Sequence, residues 1–378
     1  MINFGEKIVE IRNKSGGQIF TGLKTELQNR EDLSTFYTPG IAEPCRRIAA
    51  DKSLSKKMTV RKNTVAVVSD GSAVLGMGNI GPEAGLPVME GKAMLFKQFA
   101  DVDAVPIVLN TQDSEEIIKT VQYLAPSFGG INLEDISAPR CFEIEEKLCE
   151  TLDIPVFHDD QHGTAIVVLA GLINALKIVE KSENRDIKIV ISGAGAAGIA
   201  IGKLLKSYGY NNIFMTDSRG IVSCDDQQIN EKKKEFCTFS KGTIADALVD
   251  ADVFIGVSKP NIITAEMIKS MANDPIIFAM ANPDPEILPT EAQKGGAAVV
   301  ATGRSDFPNQ LNNVLVFPGF FRGLLNAGVT QVRETMKLAA AEALADMVKN
   351  PTAEKIIPSP FDSGVSSVVA TAIIRSAS

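Results

Sequence analysis

Short runs of β-branched and aliphatic residues recur along the chain, each closed by a turn and several followed by a helical pattern. Val65–Ser69 ends in Asp-Gly, Val105–Leu109 in Asn-Thr-Gln-Asp, and Ile154–Phe157 in His-Asp-Asp-Gln. Lys188–Ser192 runs into a glycine loop, Ile213–Thr216 into Asp-Ser-Arg-Gly, and Val253–Val257 into Ser-Lys-Pro. Ile276–Ala279 leads to Met-Ala-Asn-Pro, Ala298–Ala301 to Thr-Gly-Arg-Ser-Asp, and Val314–Phe317 to Pro-Gly. Between the runs, the spacing of apolar positions predicts helices over Asp113–Leu124, Ala165–Val179 and Thr243–Val249, and a tail helix from Thr330 to Val348. Uninterrupted apolar strands separated by helices predict an α/β fold whose parallel sheets are covered on both faces. The polar residues gather just after the strands, where ligands bind in open α/β sheets.

The rhythm changes near residue 150: the first 60 residues are mostly helical and polar, and the strand–helix alternation is regular only beyond 150. With 378 residues the chain has room for two domains. The expected organisation is an N-terminal α/β domain over residues 1–150. A Rossmann-type, doubly wound parallel-sheet domain over 151–378, with helices at its C-terminus, would bind a dinucleotide. Charge then narrows the function. With 38 basic and 46 acidic side chains the net charge is −8, which argues against a nucleic-acid partner and against a polybasic membrane anchor. The longest uncharged stretches, such as Gly163–Leu176, run about 14 residues, short of the ~20 that a membrane-spanning helix needs. The N-terminal residues lack the apolar core of a secretory signal. Five scattered cysteines, Cys45, Cys141, Cys149, Cys224 and Cys237, include no C-x-x-C pair and read as reduced thiols of a cytoplasmic protein.

G-x-G-x-x-G occurs twice. Gly76-Met-Gly78-Asn-Ile-Gly81 is followed by Pro82 and Pro87, which predicts a loop near the site with no long helix behind it. Gly193-Ala-Gly195-Ala196-Ala197-Gly198 abuts the strand Lys188–Ser192 and opens a helix through Leu205. There the first glycine permits a tight turn, the second lets the backbone approach a pyrophosphate, and the third lets helix pack on strand. The helix N-terminus supplies free N–H groups for phosphate. Asp217 lies 19 residues beyond Gly198, at the end of the next strand, placed to accept from a ribose 2′-hydroxyl. This second fingerprint predicts a dinucleotide site.

Two acidic pairs, Glu134-Asp135 and Asp159-Asp160, follow short apolar runs. Each alone reads as a helix cap or a solvated turn. As strand ends of one layer they can converge, and three hard oxygen ligands suit Mg²⁺ or Mn²⁺. His158 and His162 stand four residues apart, but His158 closes a strand, so the two imidazoles do not share the helix face that a zinc pair needs.

Together the segments Tyr37-Thr-Pro-Gly-Ile-Ala, Glu90-Gly-Lys-Ala, Asn132-Leu-Glu-Asp-Ile, Phe157-His-Asp-Asp-Gln-His-Gly-Thr and Ala281-Asn-Pro resemble a malic enzyme. Thr302-Gly-Arg-Ser-Asp-Phe-Pro-Asn-Gln and Asn312-Asn-Val-Leu-Val-Phe-Pro-Gly extend the resemblance, in the family's order, over about residues 15 to 325. The length resembles the compact form of the family. The resemblance implies oxidative decarboxylation of L-malate to pyruvate and CO₂ with reduction of NAD(P)⁺. It implies Glu134, Asp135 and Asp160 as ligands of a divalent metal, Lys92 as general base and Tyr37 as general acid. It further implies that Asn282 and Asn313 contact substrate or nicotinamide ribose, and that Gly193–Gly198 with Asp217 hold the dinucleotide. Compact members also resemble homodimers in which the N-terminal segment reaches the partner's site.

The implied chemistry is coherent. A base removes the C2 hydroxyl proton as hydride leaves for nicotinamide, and lysine can do this only if its pKa is lowered. Loss of CO₂ leaves an enolate that a Lewis-acidic metal stabilises, and a phenol can then protonate carbon. Asp217 favours NAD⁺ over NADP⁺, because a 2′-phosphate would meet like charge, although Arg219 follows closely. The sequence departs from larger members at Asp70-Gly-Ser-Ala73, which lacks their carboxylate-binding arginine, so that recognition falls to the metal, amides or backbone N–H groups. A malolactic enzyme, which retains its cofactor and releases lactate, carries the same motifs and stands as the alternative. A catalytically silent dinucleotide-binding protein is disfavoured because Tyr37, Lys92 and all ligand carboxylates are present.

Overall fold

Two sheets organise the chain, in a computed structural model that describes residues 4–74, 76–227 and 229–377. The first contains β1 (Thr64–Ser69), β2 (Asp103–Val108), β3 (Gly130–Leu133) and β4 (Val156–His158) in the order β2–β1–β3–β4, with every pairing parallel. β1, β3 and β4 are buried along their length, which is why they read as continuous apolar runs. Their register places the polar turns. Val68 pairs with Leu133, and Leu133 with His158. Ser69-Asp70, Glu134-Asp135 and Asp159-Asp160 therefore leave the sheet at one level, from its carboxyl edge.

The second sheet contains β5 (Ile189–Ser192), β6 (Ile213–Asp217), β7 (Gly220–Ile221), β8 (Val253–Gly256), β9 (Ile276–Ala279) and β10 (Val299–Thr302). Its order, β10–β9–β8–β5–β6–β7, is that of a doubly wound dinucleotide-binding sheet, with the switch point between β5 and β8. β7 is a two-residue strand antiparallel to β6, too short to be legible as an apolar run.

Three segments differ from the expectations of the sequence. Val314–Phe317 is not a strand: Asn313–Leu315 forms a 3₁₀ turn and Phe317–Ala327 a helix. The Asn312 side chain accepts from Val314 N–H, and Pro318 falls in the first helical turn, where it has no intrahelical bond to lose. Packing decides the rest, since Phe317, Phe320, Phe321 and Leu324 lie buried at helical spacing. Their rings meet Phe96 (4.7 Å from Phe317) and β4's Phe157 (4.6 Å from Phe320). Behind Gly81, a 19-residue helix, Pro82–Ala100, does form. Pro82 occupies its first position, where no intrahelical bond is lost, whereas Pro87 lies inside the helix and forgoes the bond to the Glu83 carbonyl, which the rest of the ladder tolerates. Cys224 and Cys237, expected as free thiols, are disulfide-bonded. The loop after β7 pairs with residues 236–238, through Cys224 N–H to Thr238 O at 2.9 Å, and this sets the sulfurs side by side.

Residue 150 falls near the end of the helix Arg140–Thr151, and β4 beyond it still belongs to the first sheet. The helices Phe317–Ala327 and Val365–Ala377 return to pack on Pro82–Ala100, so the cover of the first sheet comes from both ends of the chain. The helix Asp159–Ile178, predicted to begin at Ala165, starts directly after β4. By length and composition it could cross a membrane, but its most apolar stretch is 72% buried and it packs against the helices Ala196–Ser207 and Glu334–Ala345.

Candidate active site

Four carboxylates and one ammonium converge at the carboxyl edge of the first sheet. Glu134 and Asp135 follow β3, Asp159 and Asp160 open the helix after β4, and Lys92 projects from the middle of Pro82–Ala100. Lys92 Nζ lies 2.5 Å from Asp159 Oδ2 and 2.7 Å from Glu134 Oε1, with its charge 4.1 Å above the Phe317 ring. Asn132, buried within β3, donates to Glu134 Oε2 at 2.9 Å. Asp135 adopts φ 53°, a left-handed conformation that an aspartate tolerates better than most residues. Its N–H donates to Asp160 Oδ2 at 2.7 Å. Gly163 leaves room for Asp159, since a Cβ there would lie 1.9 Å from Oδ1, and it also abuts Asn313.

The electrostatics of the cluster favour a cation. Burial pushes the carboxyls of Glu134 and Asp159 up to about 7, Asp160 up to about 6 and Asp135 up to about 9, with neighbouring carboxylates adding to the effect. Burial opposes the Lys92 ammonium, but Asp159 and Glu134 outweigh it and raise its pKa. One oxygen each of Glu134, Asp135 and Asp160 lie within 4.8 Å of one another. Asp135 Oδ2 is buried without a hydrogen-bond partner among the described residues. Three convergent hard oxygens, one of them unsatisfied, fit Mg²⁺ or Mn²⁺.

The glycine loop after β5 has the form the fingerprint requires. Gly193 takes φ 117°, and a Cβ on it would lie 2.6 Å from Val257 O. A Cβ on Gly198 would lie 1.7 Å from Gly193 O, so helix and strand close tightly there. Gly195 faces open space, the approach a pyrophosphate would use. Ala196 and Ala197 begin the helix Ala196–Ser207. Asp217 ends β6, as expected, but it is not a free acceptor. Oδ2 takes a 2.6 Å bond from Lys233, and Oδ1 accepts from Arg219 N–H. A cavity of about 330 Å³ opens beside it, lined by Arg219, Ile221, Asp226 and Lys241. Asn282 follows β9 and faces both Gly303, after β10, and Gly76 of the first-sheet loop, where a Cβ would lie 2.2 Å from Asn282 O.

Tyr37 lies outside the buried cluster. It caps the helix Arg30–Phe36 and is 66% exposed. Several site residues carried no sequence signal or were passed over. Asp159, visible in its motif, takes the shortest bond to Lys92. Arg140 binds Asp70 at 2.8 Å and Ser72 at 2.9 Å, placing a guanidinium on the Asp-Gly-Ser-Ala segment. Lys233 beside Asp217 and Glu145 behind His158 are further examples, and nothing in linear spacing marks either.

Two family profiles cover the chain: the malic enzyme N-terminal domain matches residues 17–149 and the malic enzyme NAD-binding domain residues 161–378. The chain belongs to the malic enzyme family. It is 54% identical to a bifunctional malic/malolactic enzyme of Bacillus subtilis over 380 residues, 98% of this chain and 92% of that protein. It is also 54% identical to an NAD-dependent malic enzyme of Geobacillus stearothermophilus, over 99% of this chain and 80% of that one. Among solved structures, an NAD-dependent malic enzyme from Thermotoga maritima superposes with a TM-score of 0.93 at 49% identity, covering 97% of this chain and 98% of the other. Both NAD- and NADP-dependent malic enzymes stand among the relatives.

The raised carboxyls give a signed expectation. Between an ordinary carboxyl pKa near ~4 and the folded values, the folded state holds protons that the unfolded chain has released, so folding stability falls as pH rises through that window. In the folded protein those values run from about 6 to about 9. A bound divalent cation favours the ionised carboxylates and relieves their repulsion. Without malate or dinucleotide, the gain in Tm on adding Mn²⁺ should be larger at about pH 8 than at about pH 5. An equal or smaller gain at the higher pH contradicts the ligand assignment.

Proposed function

We propose that the protein catalyses the oxidative decarboxylation of L-malate to pyruvate and CO₂, with Glu134, Asp135 and Asp160 holding Mg²⁺ or Mn²⁺. The observation that carries this is the buried Lys92–Asp159–Glu134 contact beside three convergent carboxylates, of which Asp135 Oδ2 is unsatisfied. Bound nicotinamide supplies the hydride acceptor, and the divalent cation supplies Lewis acidity for the charge left by CO₂. Lys92 is the base for the C2 hydroxyl. As found it is an ammonium between two carboxylates, Asp159 the stronger partner, so it yields its proton more readily when the charge of Glu134 is committed elsewhere, as it would be to a divalent cation. Asn313, beside Asp159, and Asn282, between the two halves of the molecule, orient substrate and nicotinamide ribose. Tyr37 returns a proton to carbon.

Tyr37 acts, in this reading, from a second copy of the chain. No residue from 4 to 63 is buried, and Phe20, Leu23, Phe36 and Ile41 are among the large apolar side chains left exposed there. Exposed apolar side chains on such an arm mark a surface that a partner can cover, and a homodimer that places the arm at the neighbouring site supplies one. The name of the Bacillus subtilis relative favours a second reading, in which the cofactor is retained and lactate released. We favour NAD⁺ over NADP⁺ because Asp217 sits on the fixed strand end, although Lys233 neutralises part of its charge.

Malate with Mn²⁺ and NAD⁺ should yield stoichiometric NADH and pyruvate; lactate without net NADH would establish the malolactic reading instead. Tyr37→Phe should slow protonation of enolpyruvate by about 10²–10⁴-fold, while Lys92→Ala should chiefly stop malate oxidation and leave metal-dependent oxaloacetate decarboxylation better preserved. Mild, equal effects on every partial reaction would remove both roles. After subunit exchange, a mixture of these two inactive variants should regain activity; no gain despite demonstrated exchange would place both groups in one subunit. Asp217→Ser should narrow or reverse the preference for NAD⁺, mainly through KM for NADP⁺. A wild-type kcat/KM higher for NADP⁺ would contradict that preference.

A further inference from the structure

The segment 158–162 is gripped from two sides. On the site side, Lys92 holds Asp159, and Asp135 N–H holds Asp160. On the far side a single carboxylate, Glu145 of the helix Arg140–Thr151, takes everything else. Glu145 Oε1 accepts from His158 N–H at 2.9 Å, Oε2 accepts from Gln161 Nε2 at 2.9 Å, and the His162 Nε2 lies 2.9 and 3.0 Å from the two oxygens. Burial disfavours the Glu145 charge, but the contact with His162 outweighs it and holds the carboxyl down to about 2. Glu145 is thus favoured as an ionised acceptor.

Packing does not fix the turn on that side. A cavity of about 210 Å³ lies against Glu145, Gln161, His162 and Phe142, so hydrogen bonds must hold what close contact does not. Little displacement is tolerable in front, because Gly163 already closes on Asp159. Glu145 also stands on the helix that follows the Glu134-Asp135 loop. Its carboxylate therefore refers the second ligand segment, after β4, to the element that carries the chain out of the first, after β3.

We infer that Glu145 is a positioning residue that sets Asp159 and Asp160 relative to Glu134 and Asp135 by clamping His158, Gln161 and His162. The inference rests on the proposed metal ligands, and it gives Glu145 no contact with substrate or cofactor. Glu145→Gln keeps the shape but turns an N–H group toward donors, breaking part of the clamp.

Binding of Mn²⁺ alone to the full chain, followed by calorimetry, is the test. Its Kd should rise about 10-fold or more in Glu145→Gln, the scale seen when groups that orient metal ligands are lost. NADH affinity, read by fluorescence, should stay within about twofold, since Glu145 bonds nothing on the helix Ala196–Ser207. Gln161→Ala, which removes one donor and serves if Glu145→Gln does not fold, should raise the Mn²⁺ Kd by a smaller factor. Unchanged Mn²⁺ affinity in either variant overturns the clamp, as does a parallel loss of Mn²⁺ and NADH affinity that reports general loosening. Wild-type protein that binds Mn²⁺ but does not oxidise malate would sink the proposed reaction and leave the clamp decided by these titrations; wild type that binds no Mn²⁺ would sink the ligand set and the clamp together.

Discussion

Four carboxylates packed around one ammonium are the constraint to which the local structure answers. In water their repulsion would be slight, but Glu134, Asp135 and Asp159 are withdrawn from solvent and Asp160 is half-buried, and a buried charge is tolerable only when paired and hydrogen-bonded. Lys92 can neutralise one carboxylate fully and a second in part. The remainder is met by unusual local arrangements: an asparagine turned toward Glu134 from within a strand, a backbone N–H aimed at Asp160 through a left-handed aspartate, and a glycine where any side chain would strike Asp159. Even so, Asp135 Oδ2 and Asp159 Oδ1 lack partners among the described residues. A site left short of positive charge is destabilised without a cation and stabilised when one binds, as expected of a metal centre rather than of a structural ion pair.

The two sheets meet this constraint differently. In the first, parallel register delivers three polar dipeptides to one edge, so convergence follows from β1, β3 and β4 being aligned within the sheet. In the second, the order of strands opens the switch point beside β5, where the glycine loop turns. The halves are joined by residues from late in the chain. Phe317 starts a helix that packs on Phe96 and at the same time lies beneath the Lys92 ammonium. Asn313 reaches Asp159, and Asn282 touches the Gly76 loop. The second half of the sequence thus shapes the site whose charged groups come from the first.

Most strands and the polar turns behind them were legible, because buried parallel strands are continuous apolar runs and their C-terminal turns are polar. β7 was not, being two residues long, and Val314–Phe317 misled because an apolar tetrapeptide has no period of its own; only Phe320, Phe321 and Leu324 beyond it disclose the helix. The acidic pairs and the second glycine fingerprint could be read from type and position. What could not be read is the set of groups that act through others. Glu145 looks like any acid on an amphipathic helix, Lys233 like one of three consecutive lysines, and Arg140 like a helix-opening base. Their roles arise from partners 13 to 70 residues away, distances at which spacing carries no information.

Separation of the acid from the base has a physical logic in the proposed reaction. Lys92 is pinned by two carboxylates and an aromatic face, so its position is set before substrate arrives. A proton donor to carbon placed within the same cluster would add another buried polar group to an overcrowded site, and its own pKa would climb with the surrounding negative charge. Tyr37, on an arm without a buried residue, avoids both costs. Its phenol stays at the surface of its own chain and, in the proposed dimer, would meet the site when a second copy covers the arm. Assembly would then do for Tyr37 what burial does for Lys92: exclude water and fix direction. On that proposal, the exposed apolar residues of the arm and the isolation of its tyrosine are two aspects of one arrangement, a site completed by association as well as by folding.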